Sequence, residues 1–475
     1  IMSQLEILQT RVMALEEGAA TISAMADGNA LGLDISWHLV CGALVFFMQL
    51  GFAMLEAGAV RSKNAINILF KNLLDSAIST IWFWIIGYAF AYGNTQGGFI
   101  GRTNFGLSSE DFVDNESYQT FFFQWAFAAA AATITSGSVA ERCKLEAYFV
   151  YSAVISGFIY PVVVHWGWGE GWLSAFGSDV DDYLFNGDES NNFVDFAGSG
   201  IVHLTGGLCG LAGAIALGPR IGRFNPDGTV NQFPGHNITL VCFGVLVLWV
   251  GWYGFNSGST LCIVGSCAQL ASKVAVTTTI AASASSLTCV IYMMVNKMDF
   301  DITLLGNSVL AGLVSVTAPC AVIEPWGALC VGVAGFFVFF YCAEGLKKLQ
   351  IDDPLDASPV HGGCGAFGVL AVGIFGNDDN AAFAGYVGSS NGYHPFRSGE
   401  QFGVQFVGLI SIIAWVFPLA LMLFYGIKYT MGLRVDPEVE EEGLDTSEHG
   451  AKTYSLDHGK NALFPTASGK AHASG

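Results

Sequence analysis

Long apolar runs, each close to the roughly 20 helical residues that a bilayer core requires, follow one another along this chain with short polar connections between them. They fall near residues 36–58, 67–92, 119–139, 146–168, 199–218, 238–256, 270–295, 303–320, 327–345, 361–375 and 402–427. The pattern predicts eleven helices, hence an all-α polytopic membrane protein with a membrane domain over 35–430. The residues before it, 1–34, carry acidic charge and a broken helical pattern. They lack the basic start and compact apolar run of a signal peptide, so a short surface or loosely ordered lead, extracellular, is expected there. Beyond residue 431 the composition turns acidic and polar as far as 475, which predicts a tail outside the membrane.

Composition narrows the class rather than changing it. Of 475 residues, 52% are hydrophobic and 12% charged, with a mean hydropathy of +0.50, which excludes an ordinary soluble domain. The net charge of −20 argues against nucleic acid as a partner. What matters in such a chain is where the charges lie. Arg61, Lys63, Arg142, Lys144, Arg220, Arg223, Lys297, Lys347, Lys348, Lys428 and Arg434 all fall in alternate connections, on one side. The other side holds Arg102, Arg397 and a series of acids, among them Glu110, Asp111, Asp114, Glu116, Asp179, Asp181, Asp182, Asp188 and Glu189. This bias puts the N-terminus outside and the C-terminus in the cytoplasm, as an odd number of spans requires.

Eleven spans allow two five-helix halves of opposite orientation plus one extra helix. DFAGSGIVHLTGG (195–207) would then open the last helix of the first half, and DPLDASPVHGGCGAFG (353–368) that of the second. Each places a histidine, His203 or His361, just inside a glycine-rich apolar segment that follows an aspartate. Ionisable groups there are costly in hydrocarbon and mark function. Inverted repeats build their site near the midplane, where the halves meet, so the two histidines are expected to share one site. The other readings are helix-to-helix hydrogen bonding and a metal site, for which two imidazoles without a cysteine or carboxylate are an incomplete shell. His165 and His38 sit near helix ends, where interfacial or capping roles fit. The 59 glycines fit close helix crossings, clearest around Gly206, Gly207, Gly210 and Gly213.

LVFFMQLGFAMLEAGAVRSKN, ending at Asn64, FQWAFAAAAATITSGSVAERCK (123–144), YPVVVHWGWGEGW (160–172), the two histidine segments and WYGFNSGS (252–259) together resemble the ammonium transporter (Amt/Mep/Rh) superfamily. The resemblance runs from about residue 38 to the tail near Gly450, and its wording is nearest to plant and algal transporters. It implies a plasma-membrane homotrimer with one pore per subunit, high-affinity-type ammonium uptake, no cofactor and no enzymatic chemistry. Carried over position by position, Trp168 and Phe127 resemble the walls of an external recruitment site, with Ser259 as its hydrogen-bonding partner and Asp195 as the structural aspartate behind it. Phe127 and Phe255 resemble the gate, and His203 and His361 the twin-histidine pair.

The physics of these residues stands beside the resemblance. An aromatic face returns about 0.5–2 kcal/mol to a desolvated cation, and a hydroxyl such as that of Ser259 adds direction. The alternative for Trp168 is an interfacial belt residue. A bare ammonium ion deeper in an apolar channel would be heavily penalised, whereas ammonia would not. Two imidazoles, each able to donate at one nitrogen and accept at the other, can line such a pore and relay the proton. For Asp195, N-terminal capping of the helix it precedes competes with direct cation contact. Asp75, with Lys71 about a turn away, and Lys273, able to snorkel outward, read as structural charges. Most of the 11 cysteines fall in predicted helices as small apolar side chains, while Cys262 and Cys267 share an external loop in which they could pair.

The tail GLRVDPEVEEEGLDTSEHG resembles the family's cytoplasmic regulatory tail, whose GLDxxxHG portion contacts a neighbouring subunit. Ser447 stands where plant relatives carry a regulatory threonine, and Thr446 is adjacent; a kinase acting there would add about −1.5 to −2 charges. A solvated, unregulated tail is the alternative. The last residues, FPTASGKAHASG, have a disordered composition. In function, a transporter competes with an ammonium sensor on the same fold, with an electroneutral ammonia channel, and with a membrane enzyme or metal protein. For the last, no nucleophile, carboxylate cluster or cofactor motif is evident.

Overall fold

The apolar windows become helices whose ends lie within a few residues of the sequence expectation, with one exception at the N-terminus. The computed structural model describes residues 2–109, 112, 117–175, 192–386 and 395–454. The acidic residues 110, 111, 114, 116, 179, 181, 182, 188 and 189 and the final segment 464–475 lie outside these. The principal helices are α1 (Met2–Ala59), α2 (Ser62–Tyr92), α3 (Tyr118–Val139), α4 (Leu145–Gly167), α5 (Ser199–Leu217), α6 (Ile238–Gly258), α7 (Ser266–Val295), α8 (Ile302–Thr317), α9 (Pro325–Lys348), α10 (Ser358–Phe375) and α11 (Glu400–Thr430). Among the described residues nine of them are long and apolar enough to cross a membrane, so this is a multi-pass membrane protein. The other two are α8, shorter but apolar, and α3, which is buried without a break from Ala126 to Val139. A two-residue hairpin pairs Thr95 with Gly101 and Gln96 with Ile100.

The exception is the lead. Residues 2–34 are not loose but form the first half of the 58-residue α1, continuous with its apolar part. The segment is rich in Ala, Leu, Met, Glu and Gln, which favour helix, and growing from an existing helix avoids the cost of nucleation.

Helices cross closely where glycine removes the side chain. A Cβ added to Gly207 on α5 would meet the Gly362 nitrogen on α10 at 2.1 Å. That crossing brings His203, one turn before Gly207, and His361, next to Gly362, to a common point. Buried charges on α2 find partners within the bundle, as hydrocarbon demands. Asp75 accepts hydrogen bonds from Thr133 and Ser152, while Lys71 donates to the Cys143 carbonyl at 2.7 Å. The two are therefore held by separate partners rather than by each other, and Asp75 is structural in its contacts. Lys273 donates to the Ala321 carbonyl at 2.9 Å, beyond the end of α8, which is capping rather than snorkelling. Cys262 and Cys267 are disulfide-bonded. The sequence reading overlooked one intramembrane charge, Glu56 on α1. It is buried and bonded to Ser136 and to Asn72, the latter at 2.7 Å.

Several basic connections meet at one end of the bundle. Arg61 pairs with Glu141, Glu141 with Arg220 at 3.3 Å, Arg220 with Asp352 at 2.8 Å, and Asp352 with Arg223 at 3.3 Å. This ladder ties the segments after α1, α3 and α5 to the segment before α10. Burial alone would raise the Asp352 carboxyl, but the hydrogen bonds and charge of Arg220, with Arg142 behind, outweigh it and hold the group well below the usual carboxylate range. A carboxyl depressed on folding contributes stability that is complete above its unfolded value near about 4 and is lost as pH falls through the folded value. The thermal unfolding midpoint of the detergent-purified protein should therefore fall as pH drops below about 4. Asp352→Asn should already be destabilised at neutral pH, by about 3–5 kcal/mol as for a broken buried pair, with a shallower acid slope. An unchanged midpoint in the variant would remove the ladder from the account of stability.

Candidate functional site

The site is built on two helices that begin inside the protein. At the start of α5 the chain turns through Gly198, whose φ of +104° favours glycine, and the first turn is π-helical, Ser199–Leu204. Its free N–H groups are closed by one side chain. Asp195 Oδ1 accepts from Gly198 N–H at 3.1 Å, and Oδ2 from Gly200 and Ile201 N–H at 2.9 and 2.7 Å. The start of α10 repeats the device. Asp353 accepts from Ala357 and Ser358 N–H at 3.1 and 2.7 Å, ahead of a π-helical turn at Ser358–Gly363. Each histidine stands eight residues after its aspartate, His203 after Asp195 and His361 after Asp353. Similar aspartate caps and an equal spacing place both imidazoles in the first turns of their helices. Their Nδ1 atoms are 3.1 Å apart, a hydrogen bond between buried rings.

Above the pair stands a column of rings. His203 stacks on Phe255 with centroids 5.3 Å apart, and Phe255 meets Phe127 at 4.1 Å. Phe127 meets Trp168 edge-on at 5.9 Å. Phe127 and Phe255 are in van der Waals contact, so a molecule passing between them must displace a ring. Trp252 also stacks on His203 at 5.0 Å, 5.7 Å from Phe255, its indole N–H held by the Thr317 hydroxyl at 2.9 Å. On the outer side of this stack is a cavity of about 320 Å³ lined by Phe123, Phe127, Trp168, Ser259 and Tyr386 among others. The Ser259 hydroxyl donates to the Phe255 carbonyl at 2.8 Å, leaving its oxygen lone pairs as acceptors. Trp168 is oriented by its indole N–H, which donates to the Asp195 carbonyl at 2.8 Å.

The structure thus brings together Trp168, Phe127, Ser259, Phe255, His203 and His361. Asp195 takes another place: it is buried, its carboxylate oxygens are occupied by N–H groups, and it is absent from the cavity wall, so it acts through the helix start and Trp168. His165 and His38 join neither histidine. His165 is held by the Ala91 carbonyl at 3.0 Å and Thr95 at 2.9 Å, and His38 by the Asp34 carbonyl at 2.9 Å.

Beneath the pair is a second, narrow cavity of about 20 Å³, room for about one water-sized molecule. Phe52, Glu56, Asn307, Leu355 and His361 are on its wall. Sequence reading missed Glu56 and Asn307. The available signal was Glu56 itself, a carboxylate inside the first apolar window one turn after Phe52. His203 Nε2 has no hydrogen-bond partner among the described residues.

The tail lies against its own subunit. Asp445 accepts from Ile66 and Asn67 N–H at 3.1 and 2.8 Å, closing the first turn of α2. Lys63 donates to the Glu440 and Glu441 carbonyls at 2.7 and 2.6 Å, and Glu440 holds Arg434 at 2.8 Å. Residues 432–453 are therefore docked, not free in solvent. Thr446 is half-buried and Ser447 exposed on the short helix Leu444–His449.

Fold and site together define a multi-pass helical membrane protein in which a stack of aromatic rings and two hydrogen-bonded histidines separate two cavities. A family model described as the Ammonium Transporter Family matches residues 36–454, and the chain belongs to that family. It is 40% identical over 444 residues to ammonium transporter Amt2 of Archaeoglobus fulgidus, covering 92% of this chain and 91% of that protein. It is 41% identical over 451 residues to ammonium transporter 1 member 3 of Solanum lycopersicum, covering 91% and 95%. Among solved structures, a sensor Amt protein superposes with a TM-score of 0.80 at 35% identity, covering 89% of this chain and 99% of that one. Mep2 of Saccharomyces cerevisiae superposes with 0.72 at 26%, covering 86% and 88%.

Losing the Asp195 cap should cost about 1–2 kcal/mol in capping, with about 1–3 kcal/mol more for each N–H left unpaired. Asp195→Ala should therefore unfold well below Asp195→Asn, which keeps one acceptor oxygen, in a thermal scan of detergent-purified protein. Equal midpoints for the two variants would argue that the carboxylate closes nothing.

Proposed function

We propose that this chain is a high-affinity-type ammonium transporter of the plasma membrane that captures ammonium at the outer aromatic cavity and conducts ammonia past the histidines. The observation that carries this reading is the Nδ1–Nδ1 contact of 3.1 Å directly beneath the stacked phenylalanines. In that contact one ring donates and the other accepts, so the neutral pair holds opposite tautomers, one with a proton on Nε2 and one with a lone pair there. Moving a proton through the contact exchanges the tautomers.

The steps follow from charge. Ammonium leaves water for the faces of Trp168 and Phe127 and the Ser259 oxygen, where cation–π attraction of about 0.5–2 kcal/mol offsets part of its lost hydration. Beyond the gate no group compensates a full charge, so the ion gives up its proton there and ammonia enters the passage. The proton moves through His203 and His361 towards Glu56 on the inner cavity wall, and ammonia recovers it at the inner mouth. The architecture we read for this is eleven spans, as two inverted five-helix repeats plus one helix, with the N-terminus outside, the C-terminus cytoplasmic and three subunits per assembly. A second reading, an ammonium sensor on the same fold, is favoured by the 35% identity to a sensor Amt protein. An electroneutral ammonia channel is the third.

Ammonium-evoked current in reconstituted membranes or oocytes separates the three. The unaltered chain should give a saturating inward current that His203→Ala and His361→Ala abolish or strip of its ion selectivity, and Glu56→Gln should diminish it. Ammonia flux without current would replace the relay with a neutral channel. Neither current nor flux in a well-folded protein would favour the sensor.

We also read the tail as regulatory. A phosphate on Ser447 or Thr446 would add about −1.5 to −2 charges beside Glu441, Glu442, Asp445 and Glu448, and this repulsion favours release from α2. Ser447→Asp should lower the current at unchanged surface abundance, and an unaltered current would assign the serine no such role.

A further inference from the structure

The first half of α1 has no counterpart in the site or in the bundle. Its described side chains from Ile7 to Asn29 are all exposed, over a helical stretch from Met2 to Asp34 of roughly 50 Å at about 1.5 Å per residue. A lone helix in water is marginal and draws most of its stability from packing an apolar stripe. Here three glycines, Gly18, Gly28 and Gly32, weaken it further, by about 1 kcal/mol each relative to alanine. Something is therefore expected to cover the stripe.

The spacing of the stripe says what. Leu8, Val12, Leu15, Ala19, Ile22 and Ala26 alternate steps of four and three residues, the a/d heptad of a coiled coil. Leu8, Leu15 and Ile22 take the d positions at 65%, 74% and 71% exposure, and Val12 an a position at 46%. The register does not stop at the membrane. Continued down the helix it selects Asn29, Leu33, Ser36, Val40, Ala43, Phe47 and Leu50, and every one of these is exposed. The opposite face, with Cys41, Val45, Met48 and Phe52, is buried in its own subunit. One face of α1 is thus left uncovered from Leu8 to Leu50.

Charge adds an independent argument. Arg11 is the only Lys or Arg in the first sixty residues, and it falls at a g position. Glu16, five residues on, falls at the following e position. In a parallel coiled coil a g residue of one helix meets the following e residue of its neighbour, so Arg11 and Glu16 pair between copies and cannot do so within one helix. Copies in one membrane with one orientation necessarily present these helices in parallel.

We propose that the N-terminal halves of α1 from three copies of this chain wind into a parallel coiled-coil stalk that clamps the assembly outside the membrane domain. Only the strand number and the side of the membrane rest on the reading under Proposed function; the coil itself does not. The test uses the full-length protein in detergent or native vesicles. Leu15→Cys at d and Glu17→Cys at the outward f position are oxidised briefly beside the unaltered chain, whose own cysteines set the background, and are resolved without reductant. Leu15→Cys should give a cross-linked dimer band at least about tenfold stronger than Glu17→Cys, as knobs-into-holes packing at d requires. Arg11→Glu should weaken that band and Arg11→Glu with Glu16→Arg should restore it. Equal cross-linking at both positions, or none above background at Leu15→Cys, overturns the proposal. Light-scattering mass of the same samples reports the strand number separately: a dimer with strong Leu15→Cys cross-linking keeps the coil and overturns the trimer.

Discussion

Helices that start inside a membrane protein leave backbone N–H groups in a place where water cannot reach them, and the passage depends on how this chain closes two such starts. Asp195 and Asp353 each close one, with two or three N–H bonds apiece. Because each cap fixes the first turn, and each histidine lies eight residues further on, the imidazoles inherit their positions from the aspartates. The Gly207–Gly362 crossing then sets the distance between the helices that carry them. Backbone satisfaction, not a preference of the histidines for each other, is what brings their nitrogens to 3.1 Å.

The same economy of polar groups shapes the path of charge. On one side of the ring stack the cavity wall offers ring faces and the Ser259 oxygen, beside the polar groups of Tyr92, Thr120, Gln124, Thr260 and Tyr386. Between the cavities the wall is rings, with the two imidazoles as the groups able to exchange protons. Glu56 follows on the inner side, held by Asn72 and Ser136. A cavity with aromatic and hydroxyl groups on its wall is thus separated from the one beside Glu56 by a stack of rings and two imidazoles.

Most of the fold was legible because hydrocarbon imposes a single rule, and windows of about 20 apolar residues obey it wherever a helix faces lipid. The rule weakens for α3, whose alanine, threonine and serine content suits burial among helices rather than in lipid. The histidines and their aspartates were legible from a repeated short pattern, and the aromatic residues from resemblance. Glu56 was passed over although it is a carboxylate inside the first apolar window, because it lies close to the helix end, and its place on a cavity wall shows only once its neighbours on α2 and α3 are placed. The N-terminal helix was missed for a related reason: Gly18, Gly28 and Gly32 and scattered apolar residues such as Ile7 and Met13 blur its helical period, so its pattern looks broken until the helix is seen to be continuous.

The tail and the inner cavity are joined by an unbroken series of contacts through α2. Asp445 closes the first turn of that helix, Asn67 in the same turn meets Glu448 and His449 of the tail, and Asn72 one turn further holds Glu56. A docked tail therefore fixes the end of the very helix that positions the carboxylate of the inner cavity. Contact alone is only a route, and coupling requires an element with two positions whose balance both sites can bias. The tail is suited to be that element: a few hydrogen bonds at a helix end hold it down, and the acidic residues around Ser447 would make added negative charge favour release.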